Sequence, residues 1–226
     1  MNKNFKHNNF SEITFERKSV RLYDKDFKIS HEEMLEMIDE AVTARSSVNM
    51  QPWRFMIVES QAQKERLNPL IRFNTKQNET SSAMILIFGD LKCYERAEEI
   101  YDQAVAEGKM PKEVRDQQIN AIVPYYKSFT KAQMNDVVKI DASLAAMQLM
   151  LIARAHGYET NPIGGFESDQ LAKAFDLDDE RYVMTGIRSQ HCRTVVIRRW
   201  LLKLPPAWIR SSRQGWMARP DNLVRG

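Results

Sequence analysis

Cysteine and histidine are scarce in this 226-residue chain, two and four residues, and the scarcity removes whole classes of chemistry. Cys93 and Cys192 cannot build a disulfide framework, and neither has a Cys-x-x-Cys partner or a histidine at metal-ligand spacing. His7, His31, His156 and His191 form no His-x-x-x-His or His-Glu-x-x-His pair, so the usual zinc-enzyme signatures are excluded. Long apolar runs are missing as well. The stretches 83–88 and 149–153 fall far short of the roughly 20 residues that cross a bilayer, and no membrane span is expected. The N-terminus has lysines but no apolar leader core, which makes a cytoplasmic location the expectation. There is no internal repeat, no Gly-x-Gly-x-x-Gly or Walker loop, and no Ser-His-Asp, Cys-His or paired-carboxylate arrangement.

What is present is an ordinary globular composition, 43% hydrophobic and 28% charged, with a net charge of +3 that hides an asymmetry. Residues 1–185 carry 24 Lys and Arg against 29 Asp and Glu, whereas residues 186–226 carry 9 against 1. The tail also holds Trp200, Trp208 and Trp216, three of the four tryptophans.

Hydrophobic periodicity and capping signals predict a helix from the box Ser30-His-Glu-Glu33 to about Ala44, with Met34, Leu35, Ile38, Ala41 and Val42 on one face. A strand is expected over 54–59, a helix over 60–71, and a central strand covered on both faces over 83–89. Helices follow over 94–107, stopped by Gly108, and over 112–129, where Pro124 breaks or kinks the run. The segment 135–156 is apolar almost all round and rich in small residues, so it calls for burial inside a domain or against a second subunit, with Gly157 closing it. A Gly-Pro loop over 161–166, a short helix capped by Ser168 and a strand over 182–187 complete the pattern. Mixed strands and helices without a βαβ rhythm point to an α+β domain.

Three segments carry residue types suited to a ligand. Arg17-Lys18-Ser19-Val20-Arg21 alternates guanidinium, hydroxyl and guanidinium, which suits a phosphate or a planar polar edge, although short basic clusters are also ordinary solvated surface. Ser46-Ser47-Val48-Asn49-Met50-Gln51-Pro52-Trp53 is a loop dense in short hydrogen-bonding side chains, or a turn anchored by tryptophan. Pro162-Ile163-Gly164-Gly165-Phe166 lets backbone approach a flat ligand without a Cβ in the way, or is a plain loop. In this order and spacing the three resemble the flavin site of the nitroreductase family of FMN-dependent oxidoreductases, a likeness that runs from about Phe10 to Val183. Arg45 is a departure, standing where that family often has proline.

The resemblance implies a central mixed sheet flanked by helices in an intertwined homodimer. It implies that Arg17, Lys18, Ser19 and Arg21 hold the FMN phosphate, ribityl chain and pyrimidine edge, with Asn74 and Gln77 also at that edge. Ser46, Ser47, Asn49 and Gln51 would come from the partner subunit. Pro162, Ile163, Gly164 and Gly165 would pass over one face of the ring, the Gly164 N–H near flavin N5. The implied activity is hydride transfer from NADH or NADPH through FMN to a nitroaromatic, quinone or similar flat acceptor in a ping-pong cycle, without a catalytic side chain and without a metal. Tyr125, Tyr126 and Phe129 either line the acceptor pocket or pack in the core. The same fold also resembles enzymes that remove halogens or cleave flavin.

The likeness stops near Thr185. The composition change from Gly186 onward suggests that the coding frame shifted there and replaced an ending that would have supplied a further phosphate ligand. Arg198 or Arg199 is the available stand-in, and neither is assigned that role. A non-enzymatic binder whose Arg/Trp-rich tail contacts nucleic acid is the rival reading, against which stands the lack of a recognised nucleic-acid fold in that tail.

Overall fold

The computed structural model describes residues 5–192. The chain divides after Thr194 into two units, the second of which lies wholly outside the described residues. The tail's tryptophans, Arg198 and Arg199 fall in that second unit.

Eight helices and four strands are described: α1 (Phe10–Glu16), α2 (His31–Ala41), β1 (Trp53–Val58), α3 (Gln61–Leu67), α4 (Thr75–Thr80), β2 (Ala83–Asp90), α5 (Ala97–Ala106), α6 (Lys112–Lys127), α7 (Lys131–Ala155), β3 (Tyr158–Ile163), α8 (Ser168–Ala174) and β4 (Tyr182–Cys192). The strands form one sheet in the order β1-β2-β4-β3. All three ladders are antiparallel. The parallel component of the expected mixed sheet is a single bridge between Ser19 and Thr160 on the outer edge of β3.

β2 is buried at all eight positions, and its alternation sorts the core into two layers. Ala83, Ile85 and Ile87 face α2 and α7, meeting Met34, Met37, Ala145 and Leu149. Met84, Leu86 and Phe88 face the other way, toward Leu67, Ile71, Leu171 and Phe175. Gly89 lets α7 cross the end of the strand, because a Cβ there would stand 2.5 Å from the Val138 Cγ2. A third cluster, with Met50, Cys93, Tyr101, Ile122, Tyr126 and Val138, fastens α5 and α6 to the start of α7. Burial in it pushes the Cys93 thiol up to about 12, so it is an inert core group.

Several expectations need correction. The helix expected over 60–71 ends at Leu67, because Pro69 supplies no N–H and the chain passes into 3-10 turns, Asn68–Leu70 and Arg72–Asn74. α7 begins four residues before Asn135, at a capping box between Thr130 and Gln133. Within the single chain its Ile140, Leu144 and Met147 are exposed, so of the two expected covers for this helix the domain's own core leaves that face open. The run 161–166 is not all loop: its first three residues belong to β3, where Pro162 is tolerated because β3 is an edge strand. Ser168 does not cap α8; Glu167 precedes the helix and no side chain bonds its first turn. Pro124 leaves α6 one continuous helix. β4 continues five residues beyond Ile187, through the point at which the composition changes.

Candidate functional site

The basic segment is delivered by α1, which Asn9 caps and which ends at Arg17. Beyond it the backbone runs extended beside β3: Lys18 N–H donates to Glu159 Oε2 at 3.3 Å and Val20 N–H to the Thr160 carbonyl at 3.4 Å. Tyr23 N–H then reaches Thr80 Oγ1 of α4 at 3.3 Å. Lys18, Ser19 and Arg21 are exposed, while the Arg17 Nη1 is buried and has no hydrogen-bond partner, as has the Thr160 Oγ1 in β3.

At the far end of β3 the chain leaves Ile163 in the core and turns out through Gly164 and Gly165. Asn74 Nδ2 donates to the Gly165 carbonyl at 3.1 Å and to that of Ile71 at 2.9 Å, and the buried Gln77 amide donates to Asn74 Oδ1 at 3.1 Å. Gln77 therefore orients Asn74 instead of reaching outward. A Cβ on Gly164 would meet nothing within 4 Å, so the space above that residue is open. Arg17–Arg21, Asn74, Gln77 and Pro162–Gly165 are thus tied to one edge of the sheet.

Ser46–Gln51 is tied to the opposite edge, ahead of β1. Three residues of this loop have positive φ: Val48 (44°), Asn49 (58°) and Gln51 (46°). For a β-branched valine that is strain, and strain of this kind persists where surrounding contacts over-determine it. Those contacts come from three helices. Asp141 of α7 accepts from Ser47 N–H at 3.0 Å, Tyr126 of α6 donates to Ser47 Oγ at 2.7 Å, and Tyr101 of α5 donates to the Val48 carbonyl at 2.8 Å. Ser46 Oγ accepts from Gln51 N–H at 3.1 Å, closing the loop on itself. Burial raises the Asp141 carboxyl above its ordinary range, and raises the phenols of Tyr101 and Tyr126.

The exit of the loop is clamped to the sheet. Arg54 donates to the Gln51 carbonyl at 3.0 Å and to Asp90 Oδ2 at 2.8 Å. Asp90, fully buried, also accepts a bidentate pair from Arg181 at 2.9 and 3.0 Å, and those bonds raise the arginine's pKa further. β1 and β3 are separated by β2 and β4, so the two groups of candidate residues stand about three strand spacings apart, roughly 14 Å.

Sequence reasoning missed Asp90, Tyr101 and Asp141, which act through the loop; a lone carboxylate at the end of or within an apolar run was the available signal for Asp90 and Asp141, and Tyr101, among acidic neighbours, gave none. Tyr126 turns out to be core and loop support together, Phe129 stacks on it at 5.4 Å, and Tyr125 remains exposed.

The Nitroreductase family model matches residues 15–187, a span that takes in every one of these segments. The chain belongs to the nitroreductase family. Its relatives include YdgI of Bacillus subtilis (strain 168), which carries the name NAD(P)H nitroreductase and is 50% identical over 178 residues, 79% of this chain and 85% of that one. The CLA biosynthesis enone reductase of Lactiplantibacillus plantarum is 34% identical over 182 residues, 80% and 84% of the two chains. A nitroreductase of Exiguobacterium sibiricum 255-15, solved in complex with FMN, matches this nitroreductase with a TM-score of 0.80 at 49% identity, over 83% of this chain and 90% of that one. No described helix is long and apolar enough to cross a membrane.

Proposed function

We propose that this nitroreductase binds FMN, takes reducing equivalents from NADH or NADPH, and passes them to a flat conjugated acceptor such as a nitroaromatic, a quinone or an enone. The observation that carries the reading is the edge of β3, where exposed Arg21, Lys18 and Ser19, the unpaired buried Arg17 Nη1 and the open backbone at Gly164 gather around one strand. A buried guanidinium nitrogen without an acceptor fits an anionic ligand that supplies one.

When bound, FMN supplies two-electron transfer, which no side chain here can perform. This chain's own residues do the holding. Arg17, Lys18, Ser19 and Arg21 take the phosphate, the ribityl chain and one edge of the ring. Asn74, fixed by Gln77, presents a polar group at the pyrimidine edge. Pro162–Gly165 cover one face of the ring with backbone, Ile163 keeping its side chain in the core. Nearby cations favour negative charge wherever it develops on the bound group.

Ser46, Ser47, Asn49 and Gln51 belong to the reading as the contribution of a second copy. A single chain holds them at the opposite sheet edge, and α7 carries Val137, Ile140, Leu144, Met147 and Leu151 at alternating spacings of three and four, an apolar seam suited to a partner helix. The exposures of Ile140, Leu144 and Met147, at 65%, 48% and 42%, are large for a surface with no cover.

Purified protein is expected to be yellow, to lose its flavin absorbance on anaerobic addition of NADH or NADPH, and to regain it when a quinone or nitroaromatic follows. Protein that is colourless and gains no flavin band on incubation with FMN would overturn the proposal.

A further inference from the structure

An open cleft of roughly 650 Å³ lies between the Ser46–Asn49 loop and the α5–α6 pair, within the range of small-molecule pockets. Its apolar lining comes from Val48, Tyr101, Met110 and Val114. The exposed Arg45 and the half-buried Gln118 line it too, and among the described residues neither side chain has a hydrogen bond or an ion pair. No Asp or Glu lines the cleft; Asp102, on α5, is engaged by Arg115 at 2.8 Å. The chain thus presents one uncompensated guanidinium and one amide along the mouth of a concave, half-apolar cleft, with the planar fork of the arginine free to meet an anion.

We propose that Arg45 is a specificity-determining residue that recognises an anionic group on the substrate entering this cleft, with Gln118 as an accessory donor. The class selected is a flat apolar body bearing a carboxylate or a phosphate. The proposal rests on the flavin reading above, because the cleft shares Ser46 and Asn49 with the proposed FMN site. The anion has two sources, an acidic acceptor or the additional phosphate of NADPH, and the test separates them.

The measurement is calorimetric binding of two probe pairs to FMN-loaded protein: benzoate against benzamide for the acceptor, and adenosine 2′,5′-bisphosphate against AMP for the coenzyme. One pair is expected to show a preference for the more anionic member of about tenfold or more. That preference is lost in Arg45→Ala, lost or reversed in Arg45→Glu, and partly kept in Arg45→Lys, whose point charge lacks the planar fork. The pair that responds identifies the source. Absence of a preference in both pairs, or a preference that survives Arg45→Ala and Arg45→Glu, overturns the proposal. Protein that takes up no FMN would sink the flavin reading instead; the same titrations on the protein as purified still decide the role of Arg45, so the two failures are distinguishable.

Discussion

Replacing Asp90 by asparagine tests the clamp at the end of the sheet. Asp90 accepts four hydrogen bonds: Arg54 Nη2 at 2.8 Å, Arg181 Nε and Nη2 at 2.9 and 3.0 Å, and Lys92 N–H at 2.9 Å. Asparagine offers one oxygen, so in either orientation of its amide two donors lose their acceptor and face an NH₂ group. Hydrogen bonds to charged groups contribute about 1.5–3 kcal/mol each. Both arginines are about a quarter exposed, so water recovers part of that loss, leaving roughly 2–4 kcal/mol. That is a large share of the ~5–15 kcal/mol that holds a domain together. Urea unfolding followed by circular dichroism should show the fall in midpoint with an unchanged slope. The exposed Arg96–Glu99 pair is the control, and Glu99→Gln should leave the unfolding midpoint almost unchanged, because water screens an exposed pair. Because Arg54 also holds the Gln51 carbonyl, FMN affinity should fall in Asp90→Asn as well. A stability change no larger than the control's would refute the energetic argument, and intact FMN affinity in a destabilised variant would refute the coupling to the loop.

Other consequences are open to direct measurement. Val48→Asn should raise stability by about 1 kcal/mol, since asparagine tolerates the left-handed region that valine resists and the side chain is 40% exposed; a loss of stability would mean that the valine packs usefully. If the α7 seam joins two copies, as proposed, wild type should run as a dimer in light scattering and Leu144→Glu as a monomer that releases FMN, whereas an unchanged mass would show that the seam faces something else. Lys64 is 5% exposed, and burial, with repulsion from Lys28, brings its pKa down to about 8. Above that value the folded chain has released a proton that the unfolded chain still holds, so stability rises with pH from about 8 toward the ordinary lysine range. Wild-type stability minus that of Lys64→Met should therefore rise by about 2 kcal/mol on going from about pH 8 to about pH 10, and a flat difference would contradict the burial argument.

The sequence carried the elements whose signals are local. The cap at Ser30, the apolar run of β2 and the stop at Gly108 are each made within a few residues and appear where the pattern puts them, but the box at Ser30 forms only by half: Ser30 Oγ accepts from Glu33 N–H, while the Glu33 carboxylate accepts from the distant Tyr158 hydroxyl at 2.5 Å. The box Thr130-Lys-Ala-Gln133 is equally local and was legible but overshadowed by the apolar run after it. β3 was not legible: Glu159, Thr160 and Asn161 are polar yet buried, and a proline follows, so only pairing with β4 and the Ser19 segment makes them a strand. The candidate site divides the same way. Its residue types sit in three short segments that can be read directly, whereas the strain at Val48 and the supports from Tyr101, Tyr126 and Asp141 depend on contacts 53 to 94 residues apart in the chain.

In the proposed function one flavin site is completed by two chains, the basic segment and Asn74 from one and the Ser46–Gln51 loop from the other. Its most direct test is the FMN content of a heterodimer purified through two different tags, one chain carrying Arg17→Ala with Arg21→Ala and the other Ser46→Ala with Ser47→Ala. Each variant homodimer should hold FMN only weakly. With a shared site, both lesions in the heterodimer fall in one site and leave the other intact, so one tightly held FMN is expected per pair of chains. A heterodimer without tightly held FMN, while wild type holds its full complement, would place both halves of the site in a single chain and contradict it.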